Sequence, residues 1–365
     1  MIKLYKPSVY SDDIKEVVKQ LKNGSLSGNT SIVKSFEEKL GNYLNSKYCL
    51  TTSNGTTALH LALLGSGIKK DDEVIVPSLT YIASANAVSY IGAKPVFVDI
   101  FKDTFQINED LIEKSITKKT KAILPVHLYG GAPNLKKIKS IAKKYNLKVI
   151  HDAAEALGTK YDGVHSSTFK DIGTLSFFPN KLITTGEGGA IVTNNYKIYD
   201  LCLKLRSQGV AKNSNYKHDV IGYNYRMNSL SAAMGYSQID KIDAHLAKKE
   251  KVFNQYINKL TEFNIDFQKN NKEVMSSYWL TVALMPKKIN INELQNFLYS
   301  KNIETRRVFF PLPLQKPYKS NQSNRYSESL EIYKRGICLP SYPDLKKSDQ
   351  EHIINSLIQF IRKNN

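Results

Sequence analysis

Lys121-Ala122-Ile123-Leu124-Pro125-Val126, the stretch Leu135 to Tyr145, and Leu147-Lys148-Val149-Ile150-His151-Asp152 together decide the fold. The two outer runs are short, apolar and rich in β-favouring residues, while the segment between them reads as a helix. Strands without polar alternation indicate a sheet buried on both faces, which is the habit of parallel sheets packed under helices. The same alternation continues on either side. Glu73 to Val76 predicts a strand ended by Pro77, Tyr81 to Ile91 a helix, and Pro95 to Asp99 a strand. Thr174 to Phe178 and Ala190 to Thr193 complete the series, and two helices precede it, marked by Ile14, Val17, Val18 and Leu21 and by Ile32, Phe36 and Leu40. The expectation is an α/β fold with a mostly parallel, mixed sheet.

From Ile239 the pattern changes. Ile239, Ile242, Leu246, Phe253, Tyr256 and Leu260 predict one long helix leading out of a large domain over residues 1–245. A smaller C-terminal α/β domain over 246–365 follows, with a strand from Tyr278 to Leu284 and a helix from Ile291 to Tyr299. Its last helix is expected to open on a capping box of Ser348 and Glu351. The polar segment Ser320 to Ser329 reads as a surface loop.

The 365 residues, 41% hydrophobic and 23% charged, suffice for a large core and exclude a disordered chain. No apolar run approaches membrane-spanning length, and the N-terminus lacks a secretory apolar stretch. Cys49, Cys202 and Cys338 lie far apart, which gives no disulfide framework and no zinc spacing, and suits a reducing cytoplasm. The net charge of +19 is spread in lysine pairs rather than one stripe, so it reads as solvated faces or as attraction for a small anionic substrate, not as a nucleic-acid surface.

Ligands of such sheets bind beyond the carboxyl ends of the strands, where Asp152 falls. A carboxylate there is costly to bury without a partner. Asp152 is either the N-cap of the helix-like run Ala153 to Leu157 or the partner of a buried cationic ring nitrogen. Glu155 turns onto the same site or serves as a first-turn acid. Lys181, in Ser176-Phe177-Phe178-Pro179-Asn180-Lys181, stands between aromatic residues and Gly186-Glu187-Gly188-Gly189, a setting in which an amine is desolvated and made nucleophilic. Ser53-Asn54-Gly55-Thr56-Thr57 opens an apolar helix, whose free N–H groups attract an anion; Ser176 is a further ligand for it. An amine for a Schiff base, a carboxylate for a pyridinium and a cradle for a phosphate are the parts that hold pyridoxal 5′-phosphate. Tyr81 either stacks on that ring or is an ordinary core tyrosine. The cluster Asp219 to Met227 is an interface or a structural loop. His60 and His127 read as satisfied core histidines, and no histidine shows metal spacing.

In order and spacing, Ser53 to Thr56, Asp152 to Glu155, Ser176 to Lys181, Gly186 to Gly189 and Gly222-Tyr223-Asn224-Tyr225-Arg226-Met227 resemble the sugar-nucleotide aminotransferases of the DegT/DnrJ/EryC1/StrS family. The resemblance runs from end to end. Through Gln208 to Lys212, His218 to Tyr225 and Leu339 to Leu345 it is most similar to members acting on GDP-linked sugars. It implies a fold-type-I homodimer with shared active sites, in which Asn224 reaches the partner's cofactor phosphate. L-Glutamate is the implied amino donor and a nucleotide-linked 4-keto-6-deoxy sugar, GDP-4-keto-6-deoxy-D-mannose, the implied acceptor, within O-antigen biosynthesis. A UDP- or dTDP-linked sugar, or a non-catalytic regulator built on the same fold, is the alternative. Lysine at 181 favours transamination, since relatives that dehydrate carry histidine there. Arg226 and Arg306 are the candidates for holding the diphosphate. His151 stands where the family usually has glutamate, and Pro313 where it often has histidine.

Overall fold

The computed structural model describes residues 1–169, 171–211, 216–319 and 323–364. Lys212 and the segment 320–322, both part of the expectations above, lie outside the described residues.

The first unit is built on a seven-stranded sheet of β1 (Tyr48–Thr52), β2 (Glu73–Pro77), β3 (Lys94–Val98), β4 (Thr120–Ile123), β5 (Lys148–Asp152), β6 (Ile172–Ser176) and β7 (Gly189–Thr193). Their spatial order is β1-β7-β6-β5-β4-β2-β3. All neighbouring pairs are parallel except the two made by β7, which runs against both β6 and β1. The expected mostly parallel, mixed sheet is therefore present. Helices α1 (Ser11–Lys22), α2 (Ser31–Leu44), α3 (Gly55–Gly65), α4 (Ala83–Tyr90), α5 (Leu135–Lys144), α6 (Tyr196–Arg206) and α7 (Ser229–Gln238) cover it. Val74, Ile75 and Val76 of β2 are all fully buried, as a strand covered on both faces requires. Each such side chain contributes about 1.5–3 kcal/mol.

The chain then passes through a 3₁₀ turn at Ile239–Lys241 into α8 (Ile242–Leu260), so the long helix begins three residues later than its apolar spacing suggests. A second sheet follows, of β8 (Asp266–Phe267), β9 (Thr281–Leu284), β10 (Arg306–Arg307) and β11 (Gly336–Leu339), in the order β8-β9-β11-β10. Around it pack α9 (Ile291–Ser300), α10 (Ser327–Arg335) and α11 (Lys347–Lys363). Ile353, Leu357 and Ile361 of α11 are buried with Tyr256 and Leu260 of α8 in the core of this unit.

Three expectations need correcting. The capping box at Ser348 does not form: α11 starts at Lys347 with no side-chain cap, and Glu351 pairs instead with Lys347 at 3.9 Å. The described part of the expected surface loop is a 3₁₀ turn at Ser323–Tyr326 followed by α10. Within α10, Ser329 is completely buried, because its backbone N–H and hydroxyl both donate to Asp99 (3.1 and 2.6 Å). Polar composition misled here, since a buried carboxylate consumed the polarity. Finally, α1 is oriented against its apolar periodicity: Asp13 and Gln20 are buried, whereas Ile14, Val18 and Leu21 are exposed. Asp13 accepts hydrogen bonds from Tyr10 N–H, Ser237 Oγ, Gln238 Nε2 and Lys241 Nζ, which fixes the helix by its polar side.

Candidate active site

β5 delivers Asp152 to the carboxyl edge of the sheet, and the turn after it brings Glu155 to the same point. Asp152 is 4% exposed. It accepts 2.6 Å from Ser84 Oγ on α4 and 3.1 Å from the Ala154 N–H, so it caps its turn while its carboxylate faces the cleft. Burial raises its pKa, opposed by the Ser84 hydroxyl, the Ala154 amide and the Lys181 charge. Glu155 is held by the Tyr129 N–H at 2.9 Å, and burial pushes its carboxyl up to about 6 against the pull of Lys181.

Lys181 lies on the loop between β6 and β7. Its Nζ is 3.8 Å from Glu155 Oε1 and its side chain is only 12% exposed. Burial lowers its pKa, with the carboxylates of Glu155 and Asp152 holding it up. The ammonium also sits 3.8 Å from the centre of the Trp279 ring, and the indole N–H donates 2.7 Å to the carbonyl of Asn180. The amine is thus desolvated, positioned and adjacent to a proton acceptor, which are the conditions for nucleophilic and proton-transfer work.

At the other end of the site, Asn54 caps α3. Its side-chain oxygen accepts from Thr57 N–H (2.9 Å), while the Thr57 hydroxyl returns a bond to the Asn54 carbonyl (2.8 Å). Thr57 therefore completes the cap with its hydroxyl. Gly55 faces Ser176: a Cβ built on the glycine would come within 2.9 Å of Ser176 Cβ. That close approach brings the Ser176 hydroxyl beside the first turn of α3, whose N–H groups suit an anion such as phosphate.

These groups line one cleft of about 580 Å³, together with Tyr81, Trp279, Arg306 and Phe309. Tyr81 is 57% exposed, its ring 5.7 Å from that of Phe309, so it is not a core tyrosine. Phe309 stacks on the fully buried Tyr129 (5.6 Å, 6°), which stacks in turn on Trp279 (6.0 Å, 10°). This aromatic wall and Ser84 were missed from sequence. The available signals were a single tryptophan in 365 residues and a serine in the first turn of the helix after Tyr81.

Two expected site residues are elsewhere. Asn224 is exposed and Arg226 packs its Cβ against Gly28, and neither lines this cleft. His127 Nε2 and His151 Nδ1 are 3.2 Å apart, a buried pair that burial keeps neutral; His127 Nδ1 has no partner, so that histidine is only half satisfied. His60 likewise bonds Tyr225 OH through one nitrogen only. Among the described residues no group of His, Cys, Asp or Glu could hold a metal ion, and no helix is long and apolar enough to cross a membrane.

The model of the DegT/DnrJ/EryC1/StrS aminotransferase family matches residues 7–358. The chain belongs to that family. It is 43% identical to the GDP-perosamine synthase of Escherichia coli O157:H7, over 98% of both chains. With the GDP-perosamine synthase of Vibrio cholerae it shares 37% identity over 99% of each. Among solved structures, Spr1654 of Streptococcus pneumoniae in its PLP form superposes with a TM-score of 0.93 at 26% identity, covering 99% of this chain and 98% of that one. This family member is an enzyme, an aminotransferase whose cofactor is pyridoxal 5′-phosphate. The cradle at Gly55 and Ser176, the buried Asp152 and the desolvated Lys181 fit that group.

Proposed function

We propose that this aminotransferase moves an amino group from L-glutamate to C4 of GDP-4-keto-6-deoxy-D-mannose, giving GDP-perosamine. The observation that carries the chemistry is the buried Lys181 amine set 3.8 Å from Glu155 beside Asp152. The full-length similarity to two GDP-perosamine synthases supports the acceptor.

Bound in the cleft, pyridoxal phosphate would supply the electron sink that transamination needs. The α3 N-terminus at Asn54, Gly55 and Thr56, with Ser176, holds its phosphate. Ser84 and Ala154 donate to Asp152 and favour its carboxylate against the burial that raises its pKa, and that carboxylate would pair with a protonated ring nitrogen. Lys181 would hold the cofactor through its amine, and its Nζ would move the proton at the reacting carbon. Burial, which lowers its pKa, favours the neutral amine this requires. Glu155, raised to about 6, takes up or returns charge as the lysine changes state. Tyr81 covers the ring from the mouth of the cleft.

We further propose a homodimer with shared sites. The exposed apolar row Ile14, Val18 and Leu21 on α1 supports it, as does the placement of Asn224 and Arg226 outside their own cleft. In that assembly Asn224 completes the partner's phosphate site and Arg226 serves the partner's substrate. The division of the chain near residue 245 and a cytoplasmic location complete the reading; three buried free thiols support a reducing compartment.

The test is an absorbance titration of the purified protein. A band in the range of about 400–430 nm, bleached by glutamate and restored by GDP-4-keto-6-deoxymannose, is the expected result. Bleaching without recovery would move the acceptor to UDP- or dTDP-linked ketones. No band and no response after incubation with cofactor would overturn the proposal.

A further inference from the structure

One buried stripe of α8 carries polar side chains that hold backbone carbonyls of other segments. His245, Lys249 and Tyr256 recur at helical spacing and all three are buried. His245 Nδ1 lies 3.1 Å from the carbonyl of Leu182, which can only accept, so that nitrogen carries the proton. The other ring nitrogen, Nε2, accepts 2.9 Å from the Tyr10 hydroxyl. Lys249 Nζ donates 2.6 Å to the Ser341 carbonyl and 3.0 Å to that of Trp279. The Tyr256 hydroxyl donates 2.8 Å to the carbonyl of Pro340.

Lys249 is the costly member of this stripe. Burial pushes its pKa down to about 7, and among the described residues no carboxylate pairs with it. Two carbonyls offset the burial of an ammonium only in part, and an apolar side chain of similar length would pack there without that cost. What the lysine does provide is a fixed point for Trp279. The Trp279 carbonyl is tied to α8, its indole N–H donates 2.7 Å to the Asn180 carbonyl, and its ring centre lies 3.8 Å from Lys181 Nζ. Trp279 is therefore pinned at both ends. Leu182, next to the nucleophile, is tied to the same helix one turn away through His245. One turn of helix spans about 5.4 Å and does not stretch, so α8 gauges the ring against the amine. That separation has chemical weight. An aromatic face favours the charged lysine whereas burial favours the neutral one, so the distance of the ring adjusts the balance between them.

We propose that Lys249 is a positioning residue for the reaction: through the Trp279 carbonyl it fixes the indole against the Lys181 amine. This rests on the reading of Lys181 as the nucleophile given above. Lys249 acts at second hand, since its own donors are taken up by the two carbonyls.

The experiment uses the full-length protein, loaded with cofactor for kinetics and free of it for the fluorescence of Trp279, the sole tryptophan. Lys249→Met removes the donors at nearly unchanged length and is expected to lower kcat about 5-fold, the scale of a loosened ring contact, with KM for glutamate within about 2-fold. Because both residues act on the same contact, Lys249→Met combined with Trp279→Phe should cost about 5-fold again, not the product of about 25-fold. Lys249→Arg keeps donors for both carbonyls, and the cavity of about 20 Å³ that Lys249 shares with Lys181, Asn180 and Trp279 gives the larger head room, so kcat should return to within about 2-fold of wild type. Lys251→Met, on the exposed side of α8, should change nothing. In the cofactor-free protein the emission of Trp279 should shift to longer wavelength in Lys249→Met and stay in place in Lys249→Arg and Lys251→Met. Urea unfolding separates a folded variant from a failed one, and removal of a buried charge should leave Lys249→Met folded. Unchanged emission in Lys249→Met, or a fully multiplicative loss in the double variant, would overturn the proposal. A wild type that ignores glutamate, in which Lys249→Met still shifts the emission, would sink the function proposed above and leave Lys249 as the anchor of Trp279.

Discussion

The cleft has two unlike walls. One comes from the seven-stranded sheet, and there every charge has a protein partner: Asp152 with Ser84 and Ala154, Glu155 with Tyr129 N–H and Lys181. The other is aromatic and joins Tyr129, which follows β4 of the first sheet, to Trp279 and Phe309 beside the second in one stack, with Arg306 left with open donors. A wall satisfied in advance suits a cofactor that stays through many turnovers. A wall of ring faces and one unsatisfied fork suits ligands that come and go, because its favourable contacts are completed only while a substrate is present.

The contrast can be broken most forcefully at Lys181. Lys181→Ala should lower turnover by more than about 10⁴-fold while the folded structure persists, as judged by circular dichroism. Appreciable residual activity would mean that the first wall is not where the chemistry happens. Asp152→Asn, measured as kcat, should cost about 10²–10³-fold, the scale of a misplaced electrostatic partner, while KM for glutamate stays near the wild-type value.

Glu155 offers a pH readout. Its folded carboxyl titrates near 6, above the ordinary 4.5, so between those values the folded state holds more proton than the unfolded one. Stability from this group is therefore full below about pH 4.5 and lost as pH rises through 6. Glu155→Gln should remove that decline, so the variant gains on the wild type by on the order of 2 kcal/mol between pH 4.5 and 7 in urea unfolding. A pH-independent difference would show that the carboxyl is not desolvated as described. The smallest effect is expected on the second wall. Trp279→Phe loses the 2.7 Å bond to Asn180 and part of the contact with Lys181, worth about 1 kcal/mol, or some 5-fold in kcat. An effect as large as that of Asp152→Asn would erase the distinction between the walls.

Legibility in the sequence follows the same line. The first wall is assembled from residues that stand at strand ends and helix starts, where local pattern fixes both position and direction, so Asp152, Lys181 and the α3 cap could be placed from spacing alone. The second wall joins residues 129, 279, 306 and 309, whose proximity depends on how the second sheet meets the first. No periodicity encodes that meeting. The orientation of α1 was hidden for a related reason: its apolar face is read correctly as apolar, but the partners of Asp13 lie more than 220 residues away, at Ser237, Gln238 and Lys241. Arg306 was legible as a cation and illegible as to depth.

One topological detail reaches beyond catalysis. Because β7 runs against β6, the two strands are joined directly by the loop that carries Lys181, and their pairing spans Ile172↔Thr193 to Ser176↔Gly189. Neighbours so close in sequence meet with little loss of chain entropy, whereas the parallel strands around them need long crossovers. On refolding, amide protection should therefore appear in this hairpin before it appears in β10 and β11. The loop that carries the nucleophile is then mounted while the aromatic side of its chamber is still unformed, so a chain halted late in folding would hold Lys181 in place without the burial that lowers its pKa.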